Sequence, residues 1–273
     1  MSPLGIGLVL ASAVCHATWN LFAKRAEASG AAFVWLMALA GATIYAPAAA
    51  YVFLTTPTTG AAILAFAVSA VIHTAYFLTL QRGYAHGDLS VVYPVARGTG
   101  PALASIGAVV LLAERPAPVR VAGIVLICGG VLALGLLERR KDASAGMARA
   151  ALMYGLVIGV FIGIYTVWDG HAVADWNAAP IALMWGNDVG RTVFLAPVMA
   201  RRRAAVRAAW AAHRWRVIGG GVLSPLSYIL VLTALTFSPI SGVAPLRECG
   251  VLLGVAFGAR LLAEADPRRR LAA

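Results

Sequence analysis

Apolar residues in this chain come in long unbroken blocks, separated by short polar breaks. Nine blocks run at about 4–22, 31–54, 60–80, 89–112, 119–137, 148–168, 178–199, 216–236 and 242–262. A hydrocarbon core about 30 Å thick takes roughly 20 helical residues to cross, so each block predicts a membrane-spanning segment. Backbone polar groups in lipid must be satisfied within the segment, which makes the spans helices rather than open sheet. A membrane β-barrel would alternate apolar and polar residues at every second position, and stretches such as GIVLICGGVLALGLL do not. The pattern therefore predicts an all-α polytopic membrane protein with almost nothing outside the lipid. Such a molecule moves something across the membrane or works on something dissolved in it.

Composition agrees: 61% of residues are hydrophobic and 12% charged, unlike ordinary soluble domains. The net charge of +11 raises the question of nucleic acid, but its distribution answers it. Lysines and arginines gather in alternate loops: Lys24 and Arg25, Arg82, Arg139 to Lys141 with Arg149, the run 201–216, and Arg268 to Arg270. The intervening loops carry only Arg115 and Arg120. This is the positive-inside pattern; it places the N-terminus outside and the C-terminal tail in the cytoplasm, and no nucleic-acid partner is expected. The first span has no basic leader region or A-x-A cleavage site, and reads as a retained helix. Cys15, Cys128 and Cys249 all fall inside spans, with no CxxC pair, and read as small packing residues.

The chain also contains a diverged internal repeat. Residues 76–114 carry Tyr76, Ser90, Pro94, Arg97 and Glu114 in order; residues 228–264 carry Tyr228, Ser241, Pro245, Arg247 and Glu264. Both copies end in Leu-Leu-Ala-Glu, with arginine and glutamate 17 residues apart. The first repeat, 1–137, holds five spans. The odd number makes the second copy enter the membrane from the opposite face, an inverted arrangement that places substrate sites near the midplane between the halves. A charged linker, 138–147, joins it to a shortened second repeat, 148–273, with four spans and the tenth helix absent.

Several stretches resemble the drug/metabolite transporter superfamily in its EamA-like branch: Cys15 to Asn20 with Lys24 in the first span, Tyr93 to Gly98 in the fourth, and Leu112-Ala113-Glu114-Arg115 followed by Gly123. The last resembles the family's Gly-Glu-Arg turn between spans four and five, and Ala244 to Glu248 repeats the theme. The resemblance implies ten spans in two inverted five-helix halves around a central cavity, so the missing tenth span is a departure. Charge bias and resemblance also disagree on orientation, since well-described relatives have both termini inside.

Arg97 is the first candidate for substrate contact. It lies about 12 Å of helix from the start of its span at 1.5 Å per residue, too deep for snorkelling alone, and an arginine at a helix centre costs about 2.5–3.5 kcal/mol. It should face a cavity or partner, and suits a carboxylate or phosphonate head group. Pro94, Gly98, Gly100 and Pro101 weaken its helix. Arg247 is the repeat-related candidate, expected in the opposite leaflet from Arg97; the competing reading has it snorkelling to its interface with Glu248 as its local counter-ion. Tyr76, Tyr93, Tyr228, Trp19 and Asn20 complete the candidate substrate-binding set, on spans that the resemblance assigns to the cavity. Asp188 and Arg191, three residues apart, share a helix face and read as a self-neutralising pair, with a proton-coupled role for Asp188 as the alternative. His73 and His16 read as hydrogen-bonded packing residues, with a proton relay as the alternative. No spacing fits a metal site, and no P-loop or other cofactor motif is present. Two glycine stripes, 155/159/163 and 250/254/258, predict close helix packing within the bundle, with a homodimer contact as the other reading. The basic stretch 201–216 reads as an orienting loop, with an interfacial helix as the rival.

The function expected is secondary transport of a small anionic or zwitterionic metabolite by alternating access, in a bacterial inner membrane. The partners are that metabolite and the bilayer. The rivals are a membrane enzyme acting on a lipid-linked substrate, for which Asp169, His171 and Asp175 in one loop are the nearest thing to a catalytic cluster, and a non-transporting scaffold.

Overall fold

A computed structural model describes residues 1–26, 29–86, 89–137, 145–248 and 250. Among these residues all regular structure is helical: α1 (Pro3–Lys24), α2 (Gly30–Thr55), α3 (Gly60–His86), α4 (Leu89–Leu111), α5 (Pro118–Leu137), α6 (Ala145–Asp175), α7 (Pro180–Arg201), α8 (Arg203–Leu235) and α9 (Ile240–Leu246). The helices follow the nine apolar blocks. The polar breaks supply their ends: the Ser2 hydroxyl accepts from the Gly5 N–H at 3.1 Å to cap α1, and Pro3 and Pro180 sit in first turns, where a missing N–H costs nothing. Residues 138–144 of the linker, Cys249, Gly254, Gly258, Glu264 and most of the ninth block lie outside the described residues. The last three linker positions belong to α6.

Five helices, α1, α2, α3, α6 and α8, are long and apolar enough to cross a membrane on those grounds alone. The other blocks differ for identifiable reasons. α4 carries Arg97, Pro94 and Pro101, and α7 carries Asn187, Asp188 and Arg191. These polar residues lower the hydropathy of helices that the bundle encloses. The apolar run of α5 is short, and α9 is described only to Leu246. The assembly is an integral, multi-pass helical membrane protein.

Most large interfaces join one of the first five helices to one of the last four. α6 lies along α4 and α3, α8 along α1 and α2, and α7 along α2 and α3; α4 also holds α5 and α9. The 155/159/163 stripe lies inside the bundle, at the α4–α6 contact. A methyl added to Gly155 would stand 2.8 Å from Val95, and one on Gly163 would stand 2.9 Å from Leu103. Glycine is what permits this approach.

The basic stretch is helical apart from Arg202, where α7 ends and α8 begins, and His213 (φ −135°), a non-helical residue at which α8 kinks between its basic and apolar parts. Trp210 and Trp215 are exposed, while Ala209 and Val217 pack on α2 and α7. The structure thus gives this segment a helix, rather than the loop expected from its charge.

The two ends of the bundle are built differently. At the end away from the basic loops, a large apolar cluster joins α1, α4, α6, α7, α8 and α9 through Val9, Ala108, Val173, Leu183, Leu235 and Ile240, and a small one of Ala62, Ala65, Ala172 and Ala178 ties α3 to α6 beside it. Toward the basic loops the core divides. One cluster, around Phe33, Met37 and Val217, ties α1, α2, α7 and α8; another, around Val92, Val95, Ile158 and Ile162, ties α3, α4 and α6.

Candidate functional site

A cavity of about 220 Å³ lies between these two clusters. Its lining from α1, α2 and α3 (His16 to Ala23, Val34 to Ala38, and His73 to Leu80) falls in the halves of those helices nearer the basic loops, or at their middle. From the other side come Arg97, Tyr165, Asp188, Arg191, Tyr228 and Arg247.

Arg97 projects from the middle of α4 and is 5% exposed. Pro101 has no N–H to give the Arg97 carbonyl, which loosens the helix one turn on. The guanidinium Nε stands 2.9 Å from Glu248 Oε2; this is an ion pair by distance, without the alignment of a hydrogen bond. Nη2 lies 3.4 Å from His16 Nε2, and the guanidinium carbon is 5.9 Å from the centre of the Tyr93 ring. Arg247, just past α9, places Nε 3.9 Å from Glu248 Oε1 and donates from Nη2 to the Tyr165 hydroxyl at 3.5 Å. Glu248 is fully enclosed, so two buried arginines share one carboxylate. This corrects two expectations. Arg97 and Arg247 do not stand apart in opposite leaflets: α4 and the end of α9 bring their guanidinium groups to one carboxylate. Glu248 is also a closer partner to Arg97 than to its neighbour Arg247.

The other predicted contacts gather at the same cavity. Tyr76, Tyr228, Trp19 and Asn20 line it, while Tyr93 stands behind Arg97. The Trp19 indole N–H is buried without a hydrogen-bond partner among the described residues. Asn20 donates to the His16 carbonyl at 2.8 Å, and the His16 and Trp19 rings meet edge to face with their centroids 5.1 Å apart. Asp188 and Arg191 form the expected pair at 3.4 Å and face the cavity, with Arg191 over the Phe77 ring.

Sequence reasoning misplaced one group and undervalued another. Asp169 is not in a loop with His171 and Asp175: α6 continues to Asp175, and Asp169 lies inside the bundle with no exposed surface. It accepts from Ser69 Oγ at 2.6 Å and from the Tyr228 hydroxyl at 2.7 Å, and stands 2.9 Å from His73 Nε2. His171 instead pairs with Asp175 one turn on, at 2.6 Å, on a more exposed face. The trio therefore forms no cluster, and the enzyme reading loses its only candidate. The readable signals were Asp169 one turn from Tyr165, and Ser69 one turn from His73, each pair on a single helix face.

A patch that holds more arginine than carboxylate, opens to a walled cavity and presents an unspent indole donor can bind and orient a small anion. Among the described residues it contains no nucleophile set beside a base. No curated protein matches the chain. Residues 3–136, about half its length, match the EamA-like transporter family. Those residues include α1 through most of α5, and with them the helices that supply Trp19, Tyr76 and Arg97 to the cavity. The chain is accordingly a member of the EamA-like transporter family, within the drug/metabolite transporter superfamily.

Proposed function

We propose that this protein is a secondary transporter of a small anionic or zwitterionic metabolite, working by alternating access in a bacterial inner membrane. The observation that carries the reading is the sharing of Glu248 by Arg97 and Arg247 at the wall of the cavity, two guanidinium groups to one carboxylate among the described residues. Neither arginine has a carboxylate of its own there, and a negatively charged head group arriving in the cavity supplies a charge-assisted partner. Arg97 and Arg247 hold the head group. Trp19, Asn20, Tyr76 and Tyr228 surround the remainder, with Tyr93 backing Arg97.

Reciprocal packing supports a pair of inverted halves, with α1–α5 in one and α6–α9 in the other. α3 lies on α6 as α8 lies on α1, α3 on α7 as α8 on α2, and α4 on α6 as α9 on α1. The cavity sits between these halves, where inverted-repeat transporters bind substrate. The cluster that runs across six helices at one end, and the core that divides around the cavity at the other, suit a carrier that is closed on one side. By the positive-inside rule its cavity faces the cytoplasm. Alternation would part the first cluster and bring the other two together.

Counterflow in proteoliposomes tests the reading. Wild-type protein should exchange labelled anionic or zwitterionic metabolites, and Arg97→Ala should lose the exchange while still inserting in the membrane. Wild-type exchange by Arg97→Ala would refute the role given to this side chain.

A further inference from the structure

The three buried carboxylates among the described residues are not equally provided for. Asp188 has Arg191, and Glu248 has Arg97 and Arg247. Asp169 has, among those residues, only Ser69, Tyr228 and His73. Hydroxyl donors stabilise a carboxylate, but they do not neutralise it. Histidine is the one partner in this group that changes charge near neutral pH. We propose that His73 and Asp169 form a proton-binding site, and that one proton is carried with each negative charge on the transported anion. The inference rests on the transport reading above.

The arrangement of charge supports the coupling. Three arginines, Arg97, Arg191 and Arg247, share the cavity region with three carboxylates, Asp169, Asp188 and Glu248. With His73 neutral these charges cancel. With His73 protonated the region carries one positive charge, and one anionic head group restores neutrality. In a low-dielectric interior the doubly occupied and doubly empty states are then favoured over either single occupancy. That preference is what coupling requires.

A physical link joins the two sites. The Tyr165 ring lies against His73, centroids 4.3 Å apart, and its hydroxyl accepts from Arg247. An anion that draws Arg247 toward itself withdraws that donor from Tyr165 beside the imidazole. The other titratable groups facing the pair are Tyr76 on α3 and Tyr228 on α8, with rings 5.5 and 6.0 Å from Tyr165. His16 on α1 and Tyr93 on α4 both border Arg97.

The proton balance is simple. An ionised Asp169 only accepts, so it fixes a hydrogen on His73 Nε2, which leaves Nδ1 as the second proton site. A proton from water on the loading side adds at Nδ1, and the same proton leaves to water on the release side. No bond in the cargo changes.

The test uses purified full-length protein in proteoliposomes containing a trapped pH dye, with the membrane potential clamped. L-aspartate, a net monoanion, and methylphosphonate serve as probes. In the wild type, uptake should acidify the lumen. An alkaline lumen should drive accumulation of the monoanion about tenfold per pH unit, the ratio for one proton per anion. His73→Gln keeps an N–H for Asp169 but cannot titrate. It holds the charge balance of the unprotonated state, so it should lose counterflow together with acidification and gradient-driven accumulation. Asp169→Asn leaves the region with the one positive charge of the protonated state, and should retain counterflow within about twofold while losing acidification and gradient-driven accumulation. If wild-type uptake leaves luminal pH unchanged, or if His73→Gln accumulates probe like the wild type, the coupling is overturned while the transport reading stands. The wild-type dye measurement decides the matter even if neither variant folds. Failure of both probes to exchange in the wild type overturns the anion-transport reading and the coupling with it.

Discussion

The two ends of this bundle use apolar surface in opposite ways. Away from the basic loops, a cluster containing Val9, Leu183, Leu232, Leu235 and Ile240 runs across six helices. Toward the basic loops, similar residues form two separate clusters, and the cavity with its arginines occupies the gap. The contrast shows that in this protein hydrophobicity sets where helices lie, while closure depends on which helices share a cluster. The sealed end is reinforced by a polar tie across the bundle. Glu114, in the turn after α4, accepts from the Ile240 and Ser241 N–H groups at 2.6 and 3.1 Å and so caps α9. A carboxylate on a helix N-terminus is favourable through both hydrogen bonds and the helix dipole.

The largest expected effect lies on the cavity side. Glu248→Ala leaves Arg97 and Arg247 buried without their shared counter-ion, and should cost about 3–5 kcal/mol. Thermal unfolding in detergent measures this, and Arg97→Ala in the same chain should return part of the loss. An unchanged midpoint in Glu248→Ala would mean that the carboxylate does not hold the two arginines.

The next prediction attacks the sealed end. In a background without the native cysteines, Ser224→Cys at the cavity wall should react with a membrane-impermeant maleimide from the basic-loop side alone. Adding Leu232→Glu puts a charge into the seal, and labelling should then occur from both sides. Labelling of the parent from both sides would show that the cluster is not a barrier.

Smaller effects are expected where the seal is tied down. Glu114→Gln keeps the shape but loses the charge at the α9 cap, and should destabilise by about 1–2 kcal/mol. Ala113 next to it has φ +55°, the left-handed region in which a Cβ is strained. Ala113→Gly should therefore raise stability by about 0.5–1 kcal/mol. Denaturation midpoints of both variants in one detergent provide the comparison.

Much of the fold was legible because membrane helices announce themselves in one dimension. A block of about 20 apolar residues needs no partner to be recognised; the ends of α1, α2 and α5 fall within two residues of the expected positions. Arg97 was legible for the same reason, since a single cation in an apolar span stands out whatever surrounds it. The 155/159/163 stripe revealed a close approach, although not that α4 is the neighbour. Asp169 was misread because the end of α6 was placed at the last strongly apolar residues, whereas the helix runs on through polar ones that the bundle encloses. His73 carried only the local signal of Ser69 one turn away on the same face, because its partner Asp169 is 96 residues away.

The sequence by itself determined the class of molecule, the order and approximate bounds of its helices, the basic face, and the cost of Arg97, all set by the exchange between a segment and its solvent. Only the tertiary structure decided that Arg97 and Arg247 share Glu248, that Asp169 has no arginine of its own among the described residues, and that one end is sealed while the other is split. These are relations between side chains far apart in the chain, and a buried charge acquires its meaning from the neighbours that folding brings to it.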